Sequence, residues 1–366
     1  MNDIIIPILL KVDQRGILYI AMQYIYVPAC NKIFLELPAY KVLKRDNDNE
    51  QEIYTKNDIE YTINKILEKI QYKRIYSKEL STNFEAISQS ITDQMAKFME
   101  IEVEYKESKE DLQWYPINSL NDLVSRQDIN MSIQTKYGLM LFQDKYKEEL
   151  SKVIQTKFYE DKILLNKRFN VENKYQKKIY EIYRFGIIEK YKLDSKISKL
   201  YNKKKIKFVG DKVVYVTSKN SVQCILSKFE NEEIKVGLSR QQRSPFIAIK
   251  CVDEYFYENP AGLVEDGEQF DVAAKREALE ETGIQINGKM HKLSNKLLFN
   301  YGTEEMTEIY LAELKKKYVQ TKKKLDEQES ISDLEWYDLK NMDIDKLHSP
   351  IATKLSLIMS RKFYNI

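Results

Sequence analysis

Two stretches of this chain recur 222 residues apart, and that repeat limits the possible folds more than any other feature. Leu35-Glu36-Leu37-Pro38-Ala39-Tyr40-Lys41-Val42 is similar to Tyr257-Glu258-Asn259-Pro260-Ala261-Gly262-Leu263-Val264. Leu112-Gln113-Trp114-Tyr115 is similar to Leu334-Glu335-Trp336-Tyr337, and the two tryptophans are the only ones in the chain. In each copy an apolar-periodic helix is expected after the first motif, over 58–70 and 271–282. Equal offsets at both ends require internal gaps that cancel: a polar stretch at 45–54 in the first copy, a Lys-rich loop at 315–326 in the second. The repeat predicts two units of one fold. The competing reading is a chance likeness between short apolar-aromatic strings.

Length agrees with two units, since 366 residues exceed the ~150 of an average domain. Strings such as Lys212-Val213-Val214-Tyr215-Val216 and Glu308-Ile309-Tyr310-Leu311-Ala312 read as strands. The expected class is therefore α+β, with units at 1–140 and 206–366. The residues between them, 141–205, hold no proline and a single Gly186, with apolar residues at helical spacing. They read as a helical connector. It carries 18 Lys/Arg against 9 Asp/Glu, so the formal net charge of +3 sums a basic bridge and two acidic units. The mix of Tyr175, Lys177, Lys178, Tyr180, Tyr183 and Arg184 admits an anionic membrane or nucleic-acid contact. The plainer reading is a solvated face over packed tyrosines, so nucleic acid is not an expected partner. A composition of 43% hydrophobic and 31% charged residues excludes disorder. No run approaches ~18 apolar residues, so no transmembrane segment is expected. Residues 1–9 read as an opening strand, not a signal peptide. Three scattered cysteines, Cys30, Cys224 and Cys251, argue against a disulfide framework or a zinc site and fit a reducing compartment. The expected location is cytoplasmic, with the mitochondrial matrix as the alternative.

The chemistry concentrates at 262–284, which holds three of only ten glycines: Gly262, Gly267 and Gly283. A strand ends at Pro260, a glycine-bearing loop turns, and a helix is expected from Asp271, an N-cap candidate, to Gly283, a C′ candidate. Glu277, Glu280 and Glu281 share one helix face, where like charges repel. A divalent cation removes that cost, and oxygen-only ligands point to Mg²⁺ or Mn²⁺. An exposed acidic helix face would explain the carboxylates alone. It does not explain their fixed spacing from Gly262, Glu268, Arg276 and Gly283.

This constellation resembles the Nudix box: glycine, five residues, Glu, seven residues, then Arg-Glu-apolar-x-Glu-Glu-x-Gly-apolar. Every fixed position is met, with Ala278 small where a larger aliphatic is usual. Ser239-Arg240-Gln241-Gln242-Arg243 and Glu258-Asn259-Pro260-Ala261-Gly262 further resemble the pattern of ADP-ribose and ADP-sugar pyrophosphatases, with Gln242 and Asn259 as departures. Asp326-Glu327-Gln328-Glu329-Ser330-Ile331 is similar to that subfamily's acidic loop. The resemblance implies Nudix-type α/β/α sandwich domains with mixed sheets, one in each unit. It also implies Mg²⁺- or Mn²⁺-dependent hydrolysis of a nucleoside diphosphate linked to another moiety, giving a nucleoside monophosphate and a phosphorylated product. By position, metal would bind Glu277 and Glu281, assisted by Glu280 and the Ala261 carbonyl. Arg276 and Glu268 would brace the loop. Glu258 and the forks of Arg240 and Arg243 would hold substrate, and Tyr301 could stack on a base. Glu327 is the candidate general base and Glu329 the second choice. ADP-ribose, UDP-sugars, coenzyme A-like and dinucleoside substrates all remain open.

In the first copy Tyr40 stands at the loop-glycine position, and Asn64-Lys65-Ile66-Leu67-Glu68-Lys69 replaces Arg276-Glu277-Ala278-Leu279-Glu280-Glu281. Lys65 and Lys69 occupy the places of the metal carboxylates, so this unit is expected to keep the fold and bind no metal. It could serve as a partner within one chain, a pseudo-dimer in place of a homodimer. The competing function is a structural subunit of a larger assembly that retains a Nudix fold with little or no activity.

Overall fold

The computed structural model describes residues 3–27, 30, 32–43, 54–87, 94–104, 112–126, 128–152, 155–156, 206–209, 212–216, 219–242, 255–299, 305–325 and 331–366. The first unit opens with β1 (Ile4–Val12), β2 (Leu18–Val27), β3 (Lys32–Glu36) and β4 (Tyr40–Lys41). Helix α1 (Lys56–Ile70) follows, then β5 (Arg74–Glu79), β6 (Glu85–Ala86), β7 (Met95–Val103) and β8 (Gln113–Pro116). Three helices close it: α2 (Leu120–Ser125), α3 (Ile133–Lys145) and α4 (Lys147–Ser151). Residue 141 thus lies inside α3, and 157–205, most of the expected connector, falls outside the described residues.

The second unit begins with β9 (Ile206–Val209), β10 (Lys212–Val216), β11 (Ser221–Glu230) and β12 (Glu233–Gln242). Next come β13 (Tyr255–Glu258), β14 (Ala261–Leu263) and helix α5 (Phe270–Thr282). After it run β15 (Ile284–Gln285), β16 (Lys289–Lys292), β17 (Leu297–Leu298) and β18 (Met306–Glu313). The unit ends with β19 (Val319–Gln320), β20 (Glu335–Asp338) and helix α6 (Ile351–Tyr364).

Each unit builds a mixed sheet of eight strands. The first has the order β3-β2-β1-β7-β5, with β4 beside β1, β6 beside β7 and β8 beside β2. The second has β13-β12-β11-β18-β16, with β14 beside β11, β17 beside β18 and β20 beside β12. The orders agree strand for strand, including the parallel pairs β1–β7 and β11–β18. The recurring tryptophans hold the same register, Trp114 opposite Ala21 and Trp336 opposite Gly237. Each carries a lysine ammonium over its ring, Lys11 Nζ at 4.3 Å and Lys228 Nζ at 4.4 Å.

Both faces of each sheet are covered, which is why β1 is apolar almost throughout. One face of the first sheet receives Ile59, Ile63, Ile66 and Ile70 of α1. The same face of the second receives Ala273, Ala274 and Ala278 of α5. The opposite faces share one core with α3 and α6, joining Ile8 and Phe98 to Ile309, Leu311 and Leu355. The units also exchange contacts reciprocally. Phe34 of β3 packs with Leu298 and Met306, while Phe256 of β13 packs with Ala86 and Met95. Across the same boundary Lys354 Nζ meets Glu85 Oε2 at 2.8 Å, with side chains 1% and 2% exposed.

The expected strands at 212–216 and 308–312 lie in β10 and β18. The box helix starts one residue before Asp271, because Phe270 joins the core. Gln269 takes the N-cap without a side-chain bond, and Asp271 sits in the first turn, where the helix dipole favours an acid. Among the described residues no helix is long and apolar enough to cross a membrane.

Candidate active site

The site is built where α5 leans on β14. That strand pairs with the start of β11, Gln223 opposite Ala261 and Val222 opposite Gly262. The buried face of α5 is made of alanines, so the helix sits close to the strand. Ala278, the small residue at a usually larger position, is fully buried. The close approach is tightest at Gly262. A Cβ there would stand 2.1 Å from Glu277 Cδ, so only glycine leaves room for that carboxylate. One turn on, Glu281 is buried, and its Oε2 accepts the Ala261 N–H at 3.3 Å. Glu277 and Glu281 therefore converge on two consecutive backbone residues.

Arg276 organises the remaining acids. Its Nε donates to Glu268 Oε1 at 3.0 Å and its Nη2 to Glu268 Oε2 at 2.9 Å. Its Nη1 donates to Glu277 Oε1 at 2.7 Å and Glu280 Oε2 at 3.0 Å. Nη2 also reaches the Leu263 carbonyl at 2.8 Å, tying the helix to the end of β14. The bonds to Glu268 hold the Arg276 guanidinium charged, well above its ordinary range. Reciprocally, Arg276 holds the Glu268 carboxyl below the usual carboxylate range. Beneath the site, burial first, then the charge of Glu281, pushes the Cys224 thiol up to about 12.

The C-terminal end of α5 is fixed as firmly. Gly283 adopts φ +72° in the left-handed region, where its N–H closes on the Leu279 carbonyl at 2.9 Å. A Cβ there would also lie 2.0 Å from the Thr321 carbonyl oxygen. Lys324 N donates to the Glu280 carbonyl at 2.9 Å, joining the segment after β19 to the helix.

The donor set suits a hard divalent cation. Glu268, Glu277 and Glu280 share the single guanidinium of Arg276, and Glu281 is held by the Ala261 N–H, leaving an excess of negative charge. The fit rests on the cradle at Gly262, which a Cβ would fill and which Glu277 occupies instead. Among the described residues no three acidic, histidine or cysteine side chains form a ready metal cage. Mg²⁺ characteristically takes one or two protein carboxylates and completes its shell with water and substrate phosphate.

The expected site residues divide clearly. Ala261, Gly262, Glu268, Arg276, Glu277, Glu280, Glu281 and Gly283 are brought together. Glu258 is buried on β13, opposite Ser239. Arg240 lies on β12 with its Nη2 3.0 Å from Glu335 Oε1 and its backbone N bonded to Ser332 Oγ at 2.7 Å. Arg243, Tyr301, Glu327 and Glu329 lie outside the described residues. Sequence reasoning missed Glu335 as the partner of Arg240 and the Leu263 carbonyl as an acceptor. The first could be found from the repeat, since Glu335 falls within the tryptophan string. A backbone acceptor leaves no mark on residue type.

At the corresponding place in the first unit, Lys65 Nζ pairs with Glu68 Oε2 at 2.7 Å, and Lys69 Nζ lies 5.7 Å from the centre of the Tyr40 ring.

A NUDIX domain family model matches residues 220–355. Comparison with curated protein sequences returns no match. Among solved structures, the NUDIX domain of Shewanella oneidensis NrtR complexed with ADP ribose is 16% identical, with a TM-score of 0.32 over 40% of this chain and 89% of that one. An ADP compounds hydrolase is 20% identical, with a TM-score of 0.32 over 42% of this chain and 78% of that one. The residues matched by the NUDIX domain model include the carboxylate helix α5 and the strand β14 it leans on.

Proposed function

We propose that this domain is an active hydrolase of a nucleoside diphosphate linked to another moiety, of ADP-ribose or nucleotide-sugar type. The reading rests on one observation above others, the convergence of Glu277 and Glu281 on Ala261 and Gly262. Those carboxylates, with Glu280 and the Ala261 carbonyl, would hold Mg²⁺ or Mn²⁺. When bound, the metal supplies charge neutralisation of the diphosphate and a lowered pKa for the attacking water. Arg276 and Glu268 keep the ligands in place. Glu258, Arg240, Arg243 and Tyr301 are assigned to substrate. Glu327 takes the proton from the water, with Glu329 as second choice. The water oxygen bonds one phosphorus as the bridging P–O bond breaks, and the bridging oxygen leaves with the other phosphoryl group. A nucleoside monophosphate and a phosphorylated remainder result.

The first unit is assigned as a degenerate copy from a tandem duplication. Matching strand orders and the paired Lys–Trp contacts support that origin. Lys65 and Lys69 put ammonium groups where the second unit has its metal carboxylates. The two units act as a pseudo-dimer, as the reciprocal packing of Phe34 and Phe256 suggests. In a two-fold interface, if i contacts j then j contacts i.

The test is Mg²⁺-dependent phosphoester release from ADP-ribose, UDP-glucose, coenzyme A and capped RNA, with Glu281→Gln as control. Turnover of at least one substrate, lost in the variant, is expected. No turnover on any, from protein purified without metal, overturns the reading and favours the structural-subunit alternative.

A further inference from the structure

Beyond the end of α5 lies a second feature that the carboxylate site does not use. Thr282, Gln320, Thr321, Lys322, Lys323, Lys324, Leu325 and Asp333 line a hollow of about 650 Å³. Three consecutive lysines at a helix C-terminus would ordinarily be read as partners for its unpaired carbonyls. Here other groups satisfy those carbonyls. Leu279 O accepts from Gly283 N, Glu280 O from Lys324 N and Gly283 O from Thr321 N, at 2.9, 2.9 and 2.7 Å. Thr282 O accepts from Gln320 Nε2 at 3.1 Å. The donors to these four carbonyls are amides, not ammonium groups.

The three lysines also differ from one another. Lys323 Nζ is committed to the protein: it donates to the Ser332 carbonyl at 2.5 Å and the Ile331 carbonyl at 3.4 Å, and pairs with Asp333 Oδ1 at 3.1 Å. Among the described residues Asp333 is the only acid lining the hollow, and its charge is answered by Lys323. Lys322 and Lys324 are exposed, and among the described residues no acidic side chain pairs with either. Asp326, Glu327 and Glu329 follow in sequence but lie outside the described residues. The described hollow thus presents two lysines with no acidic partner among the described residues, on the segment whose Lys324 N bonds the Glu280 carbonyl at 2.9 Å. Compact ammonium charges of this kind suit a phosphate group.

We propose that this hollow is an anion subsite, in which Lys322 and Lys324 take a phosphate that the substrate carries in addition to its diphosphate. The inference rests on the nucleotide-hydrolase reading and narrows it to substrates bearing a further phosphate, such as a phosphorylated ribose. Lys322 and Lys324 are specificity-determining groups; Lys323 holds the wall of the hollow.

Two measurements on the full chain test this. In calorimetry, adenosine 3′,5′-bisphosphate and adenosine 2′,5′-bisphosphate are compared with AMP, none of which contains an anhydride to cleave. At least one bisphosphate is expected to bind about tenfold more tightly than AMP, a preference that shrinks with added salt. Lys322→Gln/Lys324→Gln should erase the preference and leave AMP affinity unchanged. In hydrolysis, coenzyme A against dephospho-coenzyme A and NADPH against NADH should show the same preference in KM, lost in the double variant. Equal affinity for bisphosphates and AMP, or an equal loss for both in the variant, overturns the proposal. A binding preference without hydrolysis retains the subsite and removes the hydrolase reading; hydrolysis without any preference does the reverse.

Discussion

The contact between Gly262 and Glu277 can be broken with a single methyl group. In Gly262→Ala the new Cβ would lie 2.1 Å from Glu277 Cδ, against 3.4 Å for ordinary contact. The carboxylate must therefore retreat by about 1.3 Å. The fold can absorb this, because the obstacle is the end of a flexible side chain and Gly262 is not among the positive-φ glycines. Replacing such a glycine also reduces the entropy of the unfolded chain, so stability should change by no more than about 1 kcal/mol. Function has no such tolerance. A misplacement of ~1 Å in a reacting group can cost about 10²-fold in rate. Glu277 would also lose its 2.7 Å contact with Arg276 Nη1. The expected outcome is a fall of about 10²-fold in kcat/KM for the best substrate, with weaker Mg²⁺ activation and a nearly unchanged urea midpoint. Wild-type activity and Mg²⁺ affinity in a well-folded Gly262→Ala protein would refute the role given to Glu277.

Other perturbations should separate fold from chemistry. Gly283→Ala meets a left-handed φ of +72° and the Thr321 carbonyl 2.0 Å from its Cβ, so denaturant unfolding should show a loss of at least about 1–3 kcal/mol. Arg276→Lys cannot reproduce a fork shared by Glu268, Glu277, Glu280 and Leu263, and kcat/KM should fall more than stability does. Above pH 7, where Glu85 is ionised, Lys354→Met leaves it buried without its counter-ion and should cost about 3–5 kcal/mol by urea titration, whereas Glu85→Leu/Lys354→Met should recover most of that. Burial raises Glu85 from its ordinary 4.5 to about 7. Between those values the folded chain holds a proton that the unfolded chain has released. Its contribution to stability is therefore complete below pH 4.5 and lost as pH rises through 7. Denaturation across pH 4.5–8 should show wild type losing stability relative to Glu85→Gln, and parallel curves would contradict this assignment.

What could be read from sequence follows from what each feature demands of residue type. The clustered carboxylates, their guanidinium brace and two sterically required glycines tolerate few alternatives, so 262–284 announced itself. The repeat likewise placed the helix after each first motif, whereas the strands that carry the two tryptophans are a finding of the structure. The N-cap of the box helix is Gln269 and not the expected Asp271, which sits in the first turn. The capping box at Thr55 and Asp58, by contrast, starts α1 two residues ahead of the expected 58. Contacts between the units were hidden for another reason. Lys354 and Glu85, or Phe34 and Met306, are ordinary residues until two surfaces meet, and neither partner's local pattern encodes the other. The three lysines at 322–324 looked alike in sequence, and only their surroundings distinguish Lys323 from its neighbours.

The central claim is that Glu277 and Glu281 of the second unit hold the metal, while the first unit holds none. Titration of the full chain with Mn²⁺, followed by the loss of free-ion paramagnetic resonance signal, tests it most directly. One site is expected, weakened at least tenfold by Glu281→Gln and unchanged by Lys65→Gln/Lys69→Gln. Unaltered Mn²⁺ affinity in Glu281→Gln, or a second site of equal strength lost only in the lysine variant, would contradict the account.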